Sequence, residues 1–243
     1  MDQNQFNLLL LTLFKKNGLQ EPVQEEAEKL YSLTNIMLDV NKSMNLTAIT
    51  SHSGIILKHY VDSLTISAMI PEGSTLLDVG CGAGFPTLPL AIFRPDISIT
   101  ALDSTAKKID YVKQTAKKLE LFNVSTISAR AEELAHNSDY RERFDIVTAR
   151  AVAALPILSE LCLPFVKKGG HFISMKGQKG EEEFNDAQHA IDVCGGEIAS
   201  LNIIKLRSEK GDEDSRSIFE IAKTSHTPVK YPRQYSRISK TPL

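Results

Sequence analysis

The stretch "LLDVGCGAGFPTLPLAIFRPD", residues 76–96, sets Asp78 just ahead of Gly80, Gly82 and Gly84, then continues through Phe85 into an apolar, helix-compatible run. A glycine-rich turn from strand into helix is the usual cradle for a nucleotide-like ligand. Glycine permits close backbone approach, and a helix start carries partial positive charge. Asp103 ends a second apolar run, "SITALD", where a carboxylate would accept the hydroxyls of an adenosine ribose. Arg150 ends a later one, "FDIVTAR", and Lys176 lies in "SMKGQK". His59 and Asp62 stand three apart in "HYVDS", on one face of a helix.

The dinucleotide fingerprint requires a third small residue for close packing of helix on strand, and Phe85 stands in its place. No Gly-Lys-Ser/Thr supports a phosphate loop. Asp78 points elsewhere: its charge would repel a pyrophosphate but suits a ligand carrying an ammonium and a sulfonium, such as S-adenosylmethionine. A carboxylate capping nearby backbone amides is the alternative for Asp78. Phe85 lines the donor pocket or simply packs in the core.

These residues need a scaffold that brings strand ends together. From residue 75 onward, short β-rich runs alternate with helical ones, and five such strands predict a doubly wound parallel sheet with ligands at the C-terminal edge. Two late runs, "EIASLNIIKL" and "RSIFEIAK", are joined by the polar "RSEKGDEDS" and predict an antiparallel pair, with the seventh strand inserted beside its neighbours. Between "VSTISA" and "FDIVTAR" a loop is expected. Helical spacing over 5–16 and 22–41, and again in "IILKHYVDSLTISAMI", predicts a helical extension ahead of the sheet. The expected division is an N-terminal helical extension over 1–72, a Rossmann-like domain over 73–224 and a basic C-terminal tail over 225–243.

Composition narrows the class. Hydrophobic residues at 42%, charged residues at 24% and a net charge of −2 are those of an ordinary globular enzyme without global attraction to nucleic acid or membrane. Cys81, Cys162 and Cys194 are far apart and form no CxxC, so neither a disulfide framework nor a metal site is expected, and a reducing cytoplasm is the simplest compartment. The leucine run at 8–14 is too short to span a bilayer and reads as helix core. After Glu220 the chain carries Lys223, Lys230, Arg233, Arg237 and Lys240 and no acid; this +5 segment, against −2 for the whole, leaves −7 for the rest. Such a tail could reach phosphates, but composition alone favours a solvated, partly disordered terminus.

"LLDVGCGAGFPTLPLAIFRPD", "LDSTAKKIDYVK", "ARAEEL", "FDIVTARAVAAL" and "MKGQ", together with the earlier "NLT" and "HYVDS", resemble the successive motifs of the bacterial glucose-inhibited division protein B family across nearly the whole chain. Cys81 stands where many members have Thr or Ser, and Thr87 where Gly is common. The resemblance implies a class I S-adenosylmethionine-dependent methyltransferase, acting on N7 of a guanine in small-subunit (16S) ribosomal RNA or the small subunit itself. It implies no membrane association, and a monomer is expected. It places the adenine at Ala131 and Glu132, and hints that His59 walls the guanine pocket, although a helical histidine is as often a packing residue. With Asp78, Gly80, Gly82, Gly84, Phe85, Asp103 and Arg150, Ala131 and Glu132 make the expected donor site, while Arg150, His59 and Lys176 are expected to position the substrate.

The expected chemistry asks little of the protein. No Asn/Asp-Pro-Pro-aromatic motif or Pro-Cys follows the fourth strand, and guanine N7 needs neither, because its lone pair is unprotonated at neutral pH. Arg150 could hold a phosphate, the guanine O6 or the methionyl carboxylate, or else close the strand edge as a salt bridge. Lys176 is a phosphate contact or a solubilising charge. Two rivals remain at this level: a methyltransferase of small molecules, and a non-catalytic RNA-binding relative.

Overall fold

A computed structural model describes residues 1–150, 152–178 and 180–243. Helix α1 (Gln3–Lys16) starts at Asp2, whose carboxylate accepts the Gln5 N–H at 2.9 Å while the Gln5 side chain accepts the Asp2 N–H at 3.3 Å, a capping box. Helix α2 (Gln24–Met44) ends where Asn45 turns into the left-handed region at φ 49°. Helix α3, residues 52–64, widens to π geometry over Ile56–Val61, the stretch that carries His59. Phe6, Leu10, Leu13, Leu30 and Leu33 are fully buried in one cluster with sheet residues such as Leu76 and Ile99. The helical extension therefore completes the core of the sheet, and truncating any one of these side chains would cost about 2–5 kcal/mol.

Seven strands form one sheet: β1 (Thr75–Val79), β2 (Ser98–Asp103), β3 (Val124–Ser128), β4 (Phe144–Arg150), β5 (Val166–Lys176), β6 (Gly196–Arg207) and β7 (Glu213–Lys223), in the order β3-β2-β1-β4-β5-β7-β6. Only β7 runs against the others, pairing antiparallel with β5 and β6 between which it is inserted. Alternate residues along the strands enter two clusters, Leu76, Ile146 and Ile173 on one face and Leu77, Val147 and Phe172 on the other. That is the side-chain period of two in a sheet covered on both faces. The connections are α4 (Thr87–Phe93), α5 (Ala106–Lys118), α6 (Ala131–Leu134), α7 (Leu155–Cys162) and α8 (Phe184–Val193). The expected loop between β3 and β4 thus contains one helical turn, α6. Strand order reverses between β1 and β4, so the crevice at their C-terminal ends receives both the glycine turn and Arg150.

The C-terminal tail departs from expectation. It is folded onto the body and ends in α9 (Tyr235–Lys240), with Ile238 fully buried. Glu160, wholly buried on α7, accepts hydrogen bonds from the Arg233 backbone N–H at 2.8 Å, from Nε at 2.8 Å and from Nη2 at 2.6 Å. Arg141 donates to the carbonyls of Thr227 and Tyr231 at 2.8 and 2.9 Å. Composition hid this because every anchor lies far away in sequence. Removing the cation from a buried pair leaves an uncompensated charge at a cost of about 3–5 kcal/mol. Arg233→Ala should therefore lower unfolding stability by about 3 kcal/mol in denaturant titration, and should open native-state tryptic cleavage at Lys230, Arg237 and Lys240, which the parent protein resists.

Candidate active site

The turn from β1 into α4 takes left-handed backbone at Gly80 (φ 74°), Gly82 (φ 56°) and Gly84 (φ 84°). A Cβ on Gly80 would meet Val152 at 2.7 Å and one on Gly84 would meet Leu88 at 2.6 Å, whereas one on Gly82 would find its nearest atom at 3.9 Å. Gly82 therefore faces open space, and Gly84, expected to touch the donor, instead lets the turn pack on α4 and lies off the cavity wall. The amides do not reach outward either. Gly80 and Cys81 donate to the Leu102 carbonyl at 2.7 and 3.0 Å, Gly82 to the Asp103 carboxylate at 3.0 Å, and Gly84 and Phe85 to the Cys81 carbonyl at 2.8 and 3.2 Å. With these five N–H groups already bonded within the structure, the turn has little left with which to cradle phosphates, and the Asp103 carboxylate joins the wall.

The cavity above this turn has a volume of about 560 Å³, within the ~300–1,000 Å³ usual for small-molecule sites. Gly80, Gly82, Phe85, Asp103, Ala131, Glu132, His59 and Arg150 all line it, so eight of the eleven expected positions converge. Asp103 is held by Gly82 and by the Thr105 N–H at 2.8 Å, one bond to each carboxylate oxygen. Asp78 is the second correction. It is fully buried beneath the turn, off the wall, where its Oδ2 accepts the Thr87 hydroxyl at 2.6 Å and its Oδ1 has no partner among the described residues. Burial raises its pKa to about 6 against the opposing pull of that hydrogen bond. Strand alternation sends Asp78 inward at the register where Thr148 pairs beside it.

One wall is built of stacked cation and rings. The His59 imidazole lies on Phe85, centroids 4.4 Å apart and planes 10° from parallel, and the Arg150 guanidinium sits 5.6 Å from the Phe85 centroid. Arg150 Nη1 donates to Asp62 Oδ2 at 2.8 Å and to the Lys58 carbonyl at 2.9 Å, while Arg216 Nε on β7 donates to Asp62 Oδ1 at 3.0 Å. Arg150 forms the expected salt bridge and also lines the cavity, and its Nε and Nη2 have no hydrogen-bond partner among the described residues. Lys176 is the third correction. Its Nζ contacts Glu183 at 2.9 Å and the Ala153 carbonyl at 2.5 Å, inside the structure and away from the cavity.

Three wall residues were not singled out from the sequence. Thr47, 3.0 Å from His59 Nε2, comes from the segment before α3; Lys108 comes from α5; Tyr235 comes from the tail. Thr47 lies in "NLT" and Lys108 in "LDSTAKKIDYVK", two of the motifs that carry the resemblance, whereas Tyr235 lies in none of them. Burial, then the Arg150 charge, depresses the His59 pKa from 6.5 to about 4, so the ring is neutral at pH 7. Between those two values the unfolded chain binds the extra proton; stability is complete above pH 6.5 and falls as the pH drops toward 4. A depression of this size corresponds to roughly 3 kcal/mol. Urea titrations should show the parent losing roughly that much more stability between pH 7 and pH 4 than His59→Gln.

Residues 26–211 match the model of the GidB family, described as rRNA small subunit methyltransferase G. The chain is 42% identical to the ribosomal RNA small subunit methyltransferase G of Lactobacillus delbrueckii subsp. bulgaricus, over 96% of this chain and 97% of that one. It is 44% identical to the same-named protein of Staphylococcus saprophyticus, over 93% and 92%. Among solved structures it resembles M. jannaschii TYW2 in complex with AdoMet (TM-score 0.53, 16% identity, 67% of this chain and 74% of that one). It also resembles a SAM-dependent methyltransferase from Methanosarcina mazei (TM-score 0.51, 17% identity, 66% and 97%). At such identities the structures share a fold, while the sequence relationship is far closer: the chain belongs to the rRNA small subunit methyltransferase G family.

Proposed function

We propose that this chain transfers a methyl group from S-adenosylmethionine to N7 of a guanine in small-subunit ribosomal RNA, in the cytoplasm and as a monomer. The observation that carries the reading is the glycine turn whose amides point inward. Such a turn rejects a pyrophosphate and, with the charge of Asp103 beside it and that of Asp78 beneath, favours a cationic ligand. The residues present fit the donor: Asp103 for the ribose, Ala131 and Glu132 for the adenine edge, Gly80 and Gly82 against the methionyl end. Bound S-adenosylmethionine supplies an electrophilic methyl carbon on sulfur. The protein's share is placement. Phe85 and His59 offer a flat apolar wall, and Arg150, fixed by Asp62, keeps two N–H groups for the guanine O6 or a carboxylate. Holding N7 on the methyl carbon in this way is worth about 7–11 kcal/mol of barrier. In this reading the helices of 1–72 supply the acceptor wall, 73–224 the donor site and 225–243 the outer rim.

Incubation of the protein with labelled donor and small subunits from cells lacking it should yield N7-methylguanosine by nucleoside mass spectrometry. Label on another nucleoside refutes the assignment, as does calorimetric binding of NAD in preference to the sulfonium compound. Arg150→Ala should lower kcat/KM by about tenfold or more.

A further inference from the structure

The +5 segment after Glu220 sits on a body that carries −7, and the fold brings four of its five cations to one place, Lys223 being buried beside Glu142. Beside the donor cavity, residues 230–240 face α6 across a groove of about 1110 Å³. Two residues fix its two walls against each other: Arg141 Nη1 donates to the carbonyls of Ala135 and Tyr231 at 3.0 and 2.9 Å, and His136 Nε2 donates to the Pro232 carbonyl at 2.9 Å. The tail side presents Lys230, Arg237 and Lys240, all exposed; the α6 side presents Arg130, Glu133 and His136. Arg233 is neutralised by Glu160, and Arg130 lies 3.7 Å from Glu132. Lys230, Arg237 and Lys240 form no ion pair among the described residues. The groove and the donor cavity share Arg130, Glu132 and Tyr235, so one opens into the other, and Tyr235, 40% exposed, stands at the junction.

We infer that this groove is a track for single-stranded RNA leading into the active site, with phosphates along Lys230, Arg237 and Lys240 and the base next to the acceptor stacked on Tyr235. The inference rests on the methyltransferase reading above and adds where the RNA runs and which side of it faces the protein. Unpaired cations suit any polyanion; an aromatic face at the mouth of a site that must receive a base selects a polyanion that carries bases. The two walls differ in sign. Glu133 opposite the cations disfavours a duplex, which would bring phosphates to both walls, and can accept hydrogen bonds from the N–H edges of unpaired bases.

The test is the full-length Lys230→Gln/Arg237→Gln/Lys240→Gln variant. These side chains are exposed and outside any ion pair among the described residues, with only the Lys230 ammonium over the Tyr231 ring at 5.1 Å, so melting temperature and donor Kd should stay close to the parent's. Kd for a fluorescent single-stranded oligoribonucleotide, measured without donor so that binding is read independently of turnover, should rise at least about tenfold. The slope of log Kd against log salt should fall by about 2, since each single-strand phosphate contact contributes roughly 0.7. KM for small subunits should rise with kcat retained. Tyr235→Phe should keep the oligonucleotide affinity and Tyr235→Leu should lose about tenfold. An unchanged Kd and salt slope in the triple variant overturns the track even where the parent methylates normally, and equal affinity of the parent for duplex and single strand overturns its single-stranded character. A parent that binds the oligonucleotide as expected but transfers no methyl group sinks the functional reading and leaves the groove supported.

Discussion

The N–H groups of Gly80, Cys81 and Gly82 all point into the protein, two onto the Leu102 carbonyl and one onto the Asp103 carboxylate. This single arrangement ties the end of β1 to the end of β2 and holds a carboxylate at the cavity wall. The same chain path with its amides turned out would be an anion nest; turned in, it exposes carbonyl groups and a carboxylate. Gly80 and Gly82 are required because only a left-handed backbone at both lets consecutive amides turn back onto the neighbouring strand. The helix macrodipole contributes little here, since α4 begins only at Thr87, whose hydroxyl is already engaged by Asp78.

A second constraint joins three distant segments. Asp62 lies between Arg150 and Arg216, one carboxylate oxygen to each, so α3, β4 and β7 meet at a single buried acid. Buried ion pairs of this kind contribute little net stability, because desolvation offsets most of their attraction. What they do supply is position. Arg150 can neither swing into the cavity nor leave Phe85, and His59, three residues from Asp62, is registered on the same ring. The N-terminal helices are thus coupled to the site through one carboxylate as well as through their core.

Strands were the most legible elements. "SITALD" and "FDIVTAR" are strands β2 and β4 to the residue, and the antiparallel insertion of β7 followed from the polar link that leaves no room for a crossover helix. Within the site, position along the chain was legible and side-chain direction was not. Asp78 and Lys176 both sit at or near strand ends facing the right edge, but the first alternates inward and the second is drawn to Glu183. Gly84 belongs to the motif but serves packing, since its neighbours Leu88 and Val112 lie where no local pattern could show them. The tail was hidden for a related reason. Its order depends on Glu160 and Arg141, residues whose composition-level reading is an ordinary acid and base, and whose partners lie 73 and 90 positions away.

Charge on the acceptor wall is consistent with the proposed chemistry. Methylation at N7 leaves guanine cationic, so a wall that carried net positive charge would oppose the reaction as it proceeds. Burial keeps His59 neutral across the physiological range, and the Arg150 charge is met at 2.8 Å by Asp62. The ring between them, Phe85, presents a π face that tolerates a cation. The residue that broke the dinucleotide fingerprint is therefore the one on which His59 is stacked and over which the Arg150 guanidinium sits. Itself buried, the bulky ring that spoils a pyrophosphate loop serves the cavity by ordering His59 and Arg150 along its wall.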